Sequence, residues 1–155
     1  MSHGVVIVER RPTADEYRIL REGAGWHSVS EMLAAPALVA SVFCTVAESE
    51  GKAVGMALVI AQDEQNFFLH DVIVLPPYRK KGVATLVIAS VVARFARINP
   101  DETDVILSLI ADPQLQAFYA RFGFQPGTEK ACMQLRRGQA AQARANDADE
   151  YNQLA

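Results

Sequence analysis

Between Phe67 and Ile98 the hydrophobic period of the chain changes once, and this change limits the possible folds more than any other feature. Phe67 to Leu75 is an apolar run interrupted only by His70 and Asp71, which reads as a strand. It stops at Pro76-Pro77, where a sheet ladder cannot continue. After the turn Tyr78-Arg79-Lys80-Lys81, apolar residues recur at three- and four-residue steps: Val83, Leu86, Val87, Val91, Phe95 and Ile98. That spacing predicts one long helix over 82–98 lying on a sheet.

The flanking segments supply the rest of the sheet. Val5 to Val8 reads as a short strand. Thr13 with Glu16 forms a capping box for a helix carrying Tyr17, Ile19 and Leu20, which Gly23 and Gly25 stop. A second short helix is expected over 29–35, capped by Ser28 or Ser30 and broken by Pro36. Val39 to Ala47 and Val54 to Ile60, joined by the polar turn Glu48 to Lys52, read as an antiparallel hairpin. Val105 to Ile110 reads as a further strand, and Asp112-Pro113 as a helix start with a side-chain cap. Leu115, Phe118, Tyr119 and Phe122 stripe that helix, Gly123 ends it, and Ala131 to Leu135 is a last strand. The expected class is α+β, a mixed, largely antiparallel central sheet flanked by helices. Residues 1–137 form one domain in this reading, and 138–155, rich in Ala, Gln, Asn and Asp, a polar tail.

Composition excludes several functions. A formal net charge of −3 argues against a nucleic-acid binder, which would carry a basic surface. Cys44 and Cys132 form no C-x-x-C pair, so neither a disulfide framework nor a thiolate metal site is expected. The longest apolar stretch, 82–93, is too short to span a bilayer. Met1-Ser2-His3-Gly4 shows no basic region or cleavage site, so a cytoplasmic location is expected, with no membrane partner.

The chemistry concentrates where the period changes. A helix N-terminus has unpaired N–H groups and a partial positive charge, and so attracts anions. Gly82 lets backbone approach such an anion, Ala84 keeps the first turn uncrowded, and Arg79, Lys80 and Lys81 add charge. On spacing alone, a strand–helix corner with solvated basic residues fits as well. The chain contains neither G-x-x-x-x-G-K-[ST] nor G-x-G-x-x-G.

Arg79-Lys80-Lys81-Gly82-Val83-Ala84 resembles motif A of the GCN5-related N-acetyltransferase (GNAT) superfamily, whose turn amides bind the pyrophosphate of coenzyme A. Ala117-Phe118-Tyr119-Ala120-Arg121-Phe122-Gly123-Phe124 looks like the family's signature in the following helix. Gly25-Trp26 is similar to a subgroup of these enzymes. The chain departs at Ala111-Asp112, where many members carry an asparagine, and at Ala84, where glycine is commoner.

The resemblance implies an acetyl-CoA-dependent N-acetyltransferase without a metal, acting on a primary amine by direct attack in a ternary complex. A small-molecule acceptor, a protein or peptide acceptor, and a non-catalytic acyl-CoA sensor all remain open, and relatives suggest a homodimer. By resemblance the coenzyme runs along Val72, Val74, Arg79, Lys80, Lys81, Gly82, Val83, Ala84 and Thr85, with the developing oxyanion near the Val74 N–H. Trp26 and His27 fall in the acceptor region; Trp26 could stack on an aromatic or cationic amine or fill core. Tyr119, a phenol of ordinary pKa about 10, is placed to protonate the leaving thiolate, of pKa about 8.5.

A primary ammonium of pKa about 10.4 needs a base to become nucleophilic near neutrality. His70, polar within an apolar strand and of a type titrating at about 6.5, is one candidate, and some arylalkylamine-acetylating relatives carry histidines on this strand. Asp71, expected on the opposite face because neighbours in a strand alternate, is either the base instead or a structural hydrogen-bond acceptor. A satisfied core histidine is the competing structural role.

Overall fold

The structure, a computed structural model, describes residues 4–27, 29–98, 100–101 and 104–126. It divides into a unit Met1–Gly123 and a second, Phe124–Ala155. Of the second only 124–126 are described, and they form no helix or strand. The expected strand 131–135 and the domain–tail boundary at 137/138 lie outside the described residues.

The first unit is built on a five-stranded sheet in the order β1-β2-β3-β4-β5. β1 (Val5–Glu9), β2 (Ser41–Ser49), β3 (Lys52–Ala61) and β4 (Asn66–Val74) are antiparallel neighbours. β5 (Ile106–Ser108) runs parallel to β4. The intervening α3 (Val83–Phe95) makes the crossover that a parallel pair requires. The fold is thus the mixed α+β architecture that the change of period implies.

Helices cover both faces. Tyr17 and Leu20 of α1 (Ala14–Gly23) and Ala34 and Leu38 of α2 (Glu31–Ala40) bury against Cys44, Met56, Leu58 and Ile73. On the other face the Phe67 and Phe95 rings meet edge to face at 5.9 Å, and Thr45 Oγ1 lies 3.4 Å from Ser90 Oγ. α3 therefore packs opposite α1 and α2.

Local chemistry sets most boundaries. Glu16 N–H donates to Thr13 Oγ1 at 3.1 Å and Thr13 N–H to Glu16 Oε2 at 2.8 Å, so the expected capping box is present. At the other end Gly25, at φ +80°, closes a double-bonded C-cap: Gly25 N–H to Glu22 O and Trp26 N–H to Arg21 O, both 2.9 Å. The β2–β3 connection is tighter than expected. Glu50 (φ +51°) and Gly51 (φ +73°) form a two-residue turn between the paired Ser49 and Lys52, which suits the right-handed twist of both strands.

Four expectations are corrected. α2 continues through Pro36 to Ala40, because burial of Ala34 and Leu38 outweighs the one intrahelical bond that proline removes. α3 ends at Phe95 rather than Ile98. β5 has three residues rather than six, since it pairs β4 only at Asn66, Phe67 and Phe68. Asp112 precedes a single 3₁₀ turn (Pro113–Leu115) without a side-chain cap, and α4 is only Gln116–Ala120.

Candidate active site

β4 is paired on one side along its length and on the other only at its start. β5 holds Asn66–Phe68; among the described residues no strand covers that edge from Leu69 to Val74. Leu75 N–H bonds Val54 O at 2.9 Å, so the next pair, Gly55–Val74, is the non-hydrogen-bonded kind, with peptide groups turned away from β3. The Val74 carbonyl accepts from Arg79 Nε at 2.8 Å, and the Val74 N–H, on the same side of the strand, faces the open edge.

That edge leads into the basic turn. Pro76–Tyr78 is one 3₁₀ turn, Lys80 sits at φ +58°, and Gly82, the N-cap of α3, at φ +82°. A left-handed N-cap has no side chain to satisfy the helix start, and Gly82 makes no side-chain cap bond. The first α3 bond is Leu86 N–H to Gly82 O at 3.1 Å, so the N–H groups of Val83, Ala84 and Thr85 have no partner within the helix. A Cβ at Gly82 would meet nothing within 4 Å. Lys80 and Lys81 are exposed. Helix-end donors, open space and two cations suit a diphosphate. Arg79 is tied to the strand end by its Nε, so it braces the turn as well as charging it.

The third feature is a side-chain cluster on β4. Leu58 pairs with His70 and Met56 with Ile73, so Asp71 and Val72 together oppose Ala57. This is a bulge, with Asp71 at φ +50°. It overturns the expected alternation: Asp71 does not point away from His70, because the extra residue resets the strand, and Asp71 Oδ2 lies 3.5 Å from His70 Nδ1.

Two residues of α1, four apart on one helical face, hold the carboxylate. Tyr17 OH donates to Asp71 Oδ2 at 2.5 Å and Arg21 Nη1 to Oδ1 at 2.9 Å. The Arg21 guanidinium lies over the Tyr17 ring at 5.6 Å and the Trp26 ring at 5.1 Å. Burial alone pushes the Asp71 carboxyl up, but hydrogen bonds from His70 and Tyr17 and the charges of His70 and Arg21 overcome it and hold the carboxyl below its ordinary range. Burial, then the bond to Asp71, pushes the Tyr17 phenol up to about 12. His70 Nε2 and Arg21 Nε are buried without a partner.

Sequence reasoning missed Tyr17 and Arg21. Their i, i+4 spacing on a capped helix was visible, but their target 54 and 50 residues away was not.

Trp26 is 41% exposed, with Arg21 over its ring, and His27 is exposed beside it. Tyr119 is buried in α4 with its ring edge to face with Phe118 at 5.1 Å, and burial pushes its phenol up, so it stays protonated. Val72, at the bulge, is half-buried. Among the described residues no group of three or more His, Cys, Asp or Glu could hold a metal ion, and no helix is long and apolar enough to cross a membrane.

Comparison with known proteins agrees with this fold. Residues 40–126 match the acetyltransferase (GNAT) domain family. The chain is similar to a solved protein of unknown function from meticillin-resistant Staphylococcus aureus, described as a probable acetyltransferase: 25% identity, 85% of this chain and 98% of that one, TM-score 0.75. A GNAT-family acetyltransferase of Streptococcus pneumoniae shares the fold at 20% identity, covering 86% and 98%, TM-score 0.68. So does the aminoglycoside N-acetyltransferase AAC(6')-Iy in complex with CoA, at 21% identity, covering 88% and 99%, TM-score 0.62. No curated protein matches the chain.

Proposed function

The chain belongs to the acetyltransferase (GNAT) domain family, and on that premise we propose that it moves an acetyl group from acetyl-CoA to a primary amine of a small molecule, by direct attack in a ternary complex. The observation that carries this reading is the edge of β4 that no strand covers among the described residues, running straight into the left-handed Gly82 turn and the helix-start N–H groups of α3. A thioester with a long amide-bearing arm and a diphosphate needs those two surfaces end to end.

The roles follow from the chemistry. The N–H groups of Val83, Ala84 and Thr85, with Lys80 and Lys81, bind the diphosphate oxygens. The Val74 N–H donates to the carbonyl oxygen as negative charge develops on it. His70 takes a proton from the acceptor ammonium, and Tyr119 gives one to the departing thiolate. Trp26, and His27 beside it, border the acceptor. Retention of a phenol at 119 argues against a coenzyme-binding module without chemistry, which needs no proton donor there.

For the acceptor, AAC(6')-Iy has been solved with the bisubstrate analogue CoA-S-monomethyl-acetylneamine, which supports a small polyamine or amino sugar over a protein lysine. Thiol release from acetyl-CoA across a panel of arylalkylamines, amino sugars and lysine or N-terminal peptides tests the reading. Turnover with small amines supports it, turnover with peptides alone moves the acceptor class, and no turnover with any of them refutes it. A cytoplasmic homodimer completes the proposal; light scattering at the monomer mass of 16.9 kDa refutes the dimer.

A further inference from the structure

We propose that Asp71 is the positioning residue for His70: its carboxylate accepts the His70 Nδ1 proton and so leaves Nε2 as the basic nitrogen, while Tyr17 and Arg21 of α1 hold the carboxylate in place. The inference rests on the reading of His70 as the base of an N-acetyltransferase.

The backbone supplies the first argument. A non-glycine residue at φ +50° carries strain of roughly 1–2 kcal/mol. Glycine would relieve that strain, so an aspartate at this point needs a use for its side chain. Without the bulge, Asp71 and His70 would project to opposite faces of the sheet. With it, Asp71 Oδ2 lies 3.5 Å from His70 Nδ1.

The carboxylate's own partners point the same way. Asp71 Oδ1 receives Arg21 and Oδ2 receives Tyr17, with His70 Nδ1 beside it. A carboxylate so engaged, and held below its ordinary range, is a poor proton acceptor. The base role then passes to His70, whose Nε2 is buried without a partner. An unpaired polar nitrogen inside a protein is destabilising by about 1–3 kcal/mol and calls for a reason. An acceptor ammonium presented at Nε2 is one.

The step balances without any further reactant. The ammonium yields one proton to Nε2 and becomes an amine. Its lone pair forms the C–N bond to the acetyl carbon, the C–S bond breaks, and the sulfur takes its proton from Tyr119. The second amine proton restores the Tyr119 phenol through solvent, and His70 releases its own proton to water. Asp71 stays ionised throughout and stabilises the imidazolium. The titratable groups facing His70 are Asp71 on β4 and Tyr17 and Arg21 on α1, with Cys44 of β2 in the same cluster; β3 presents Leu58, and the described side chains of α2 bring none.

Nitrogen-15 NMR of the imidazole rings tests this in the full chain without coenzyme or acceptor, the His70 signals being assigned with His70→Gln. The neutral ring is expected to carry its proton on Nδ1. Asp71→Gly suits the left-handed backbone and removes both acceptor oxygens. In it the proton should move to Nε2, with kcat/KM down roughly tenfold. Asp71→Asn, also tolerant of positive φ, keeps the shape without the charge and should show a smaller shift in the same direction. An Nε2-protonated ring in the wild type overturns the inference, as does a tautomer unchanged in both variants. Absence of acetyl transfer with every amine overturns the function instead, and the tautomer distinguishes the two failures.

Discussion

The Gly82 turn and the Asp71 bulge stand at opposite ends of one short stretch of chain, yet they are built in different ways. The turn is made of backbone: peptide N–H groups at the start of α3, two exposed lysines, and a glycine whose role is its φ of +82°. The bulge is made of side chains: a carboxylate half-enclosed by a phenol, a guanidinium and an imidazole, brought from α1 and β4. A backbone site tolerates changes of side chain and fails when φ is denied. A side-chain site tolerates little, because each partner removed leaves another charge or dipole unpaired in the interior.

Four variants break or sharpen that contrast. Tyr119→Phe touches neither region and sets the scale. With only the hydroxyl removed, kcat should fall about 100-fold, about 2.7 kcal/mol, while acetyl-CoA binding by calorimetry stays put. Full activity in the variant would return Tyr119 to the core.

Tyr17→Phe cuts one bond of the side-chain cluster. Loss of a hydrogen bond to a carboxylate should lower stability by about 2 kcal/mol in urea unfolding and leave coenzyme affinity unchanged. The sign of its pH dependence follows from a phenol pushed up to about 12. The protonated form is the one the fold favours, so the contribution is complete below the ordinary phenol value of about 10 and is lost as pH rises through about 12. The stability gap between wild type and variant should narrow across that window; a constant gap would remove Asp71 as the cause.

Gly82→Val denies the backbone its left-handed turn and sets a branched side chain in the open space proposed for the diphosphate. Affinity for acetyl-CoA should fall at least tenfold, about 1.4 kcal/mol, with the sheet intact by circular dichroism. Unchanged affinity would sink the assignment of the turn. The double change Lys80→Ala and Lys81→Ala should have the smallest effect, about threefold in affinity at low salt, vanishing as ionic strength rises. A loss as large as that of Gly82→Val would mean that side chains, not backbone, hold the anion.

What the chain determined by itself lies within a few residues of its cause. The Thr13–Glu16 box, the glycine C-cap at Gly25, the stop at Pro76-Pro77 and the period change at Gly82 all act over one to four residues, so they were legible before any fold was known. The class of sheet followed from them, and so did the position of the Gly82 turn, which needs only a strand end, a glycine and a helix start. Tertiary structure decided the rest. Pro36 stays helical because Leu38 has a core to enter, and β5 is short because β4 offers it only Asn66–Phe68. Asp71 turns back toward His70 because β3 fixes a register with one residue too few opposite it, and Tyr17 and Arg21 arrive from 54 and 50 residues away to hold it. Such contacts leave no local trace: their energy comes from burial and pairing that exist only after the sheet has formed and α1 has packed on it.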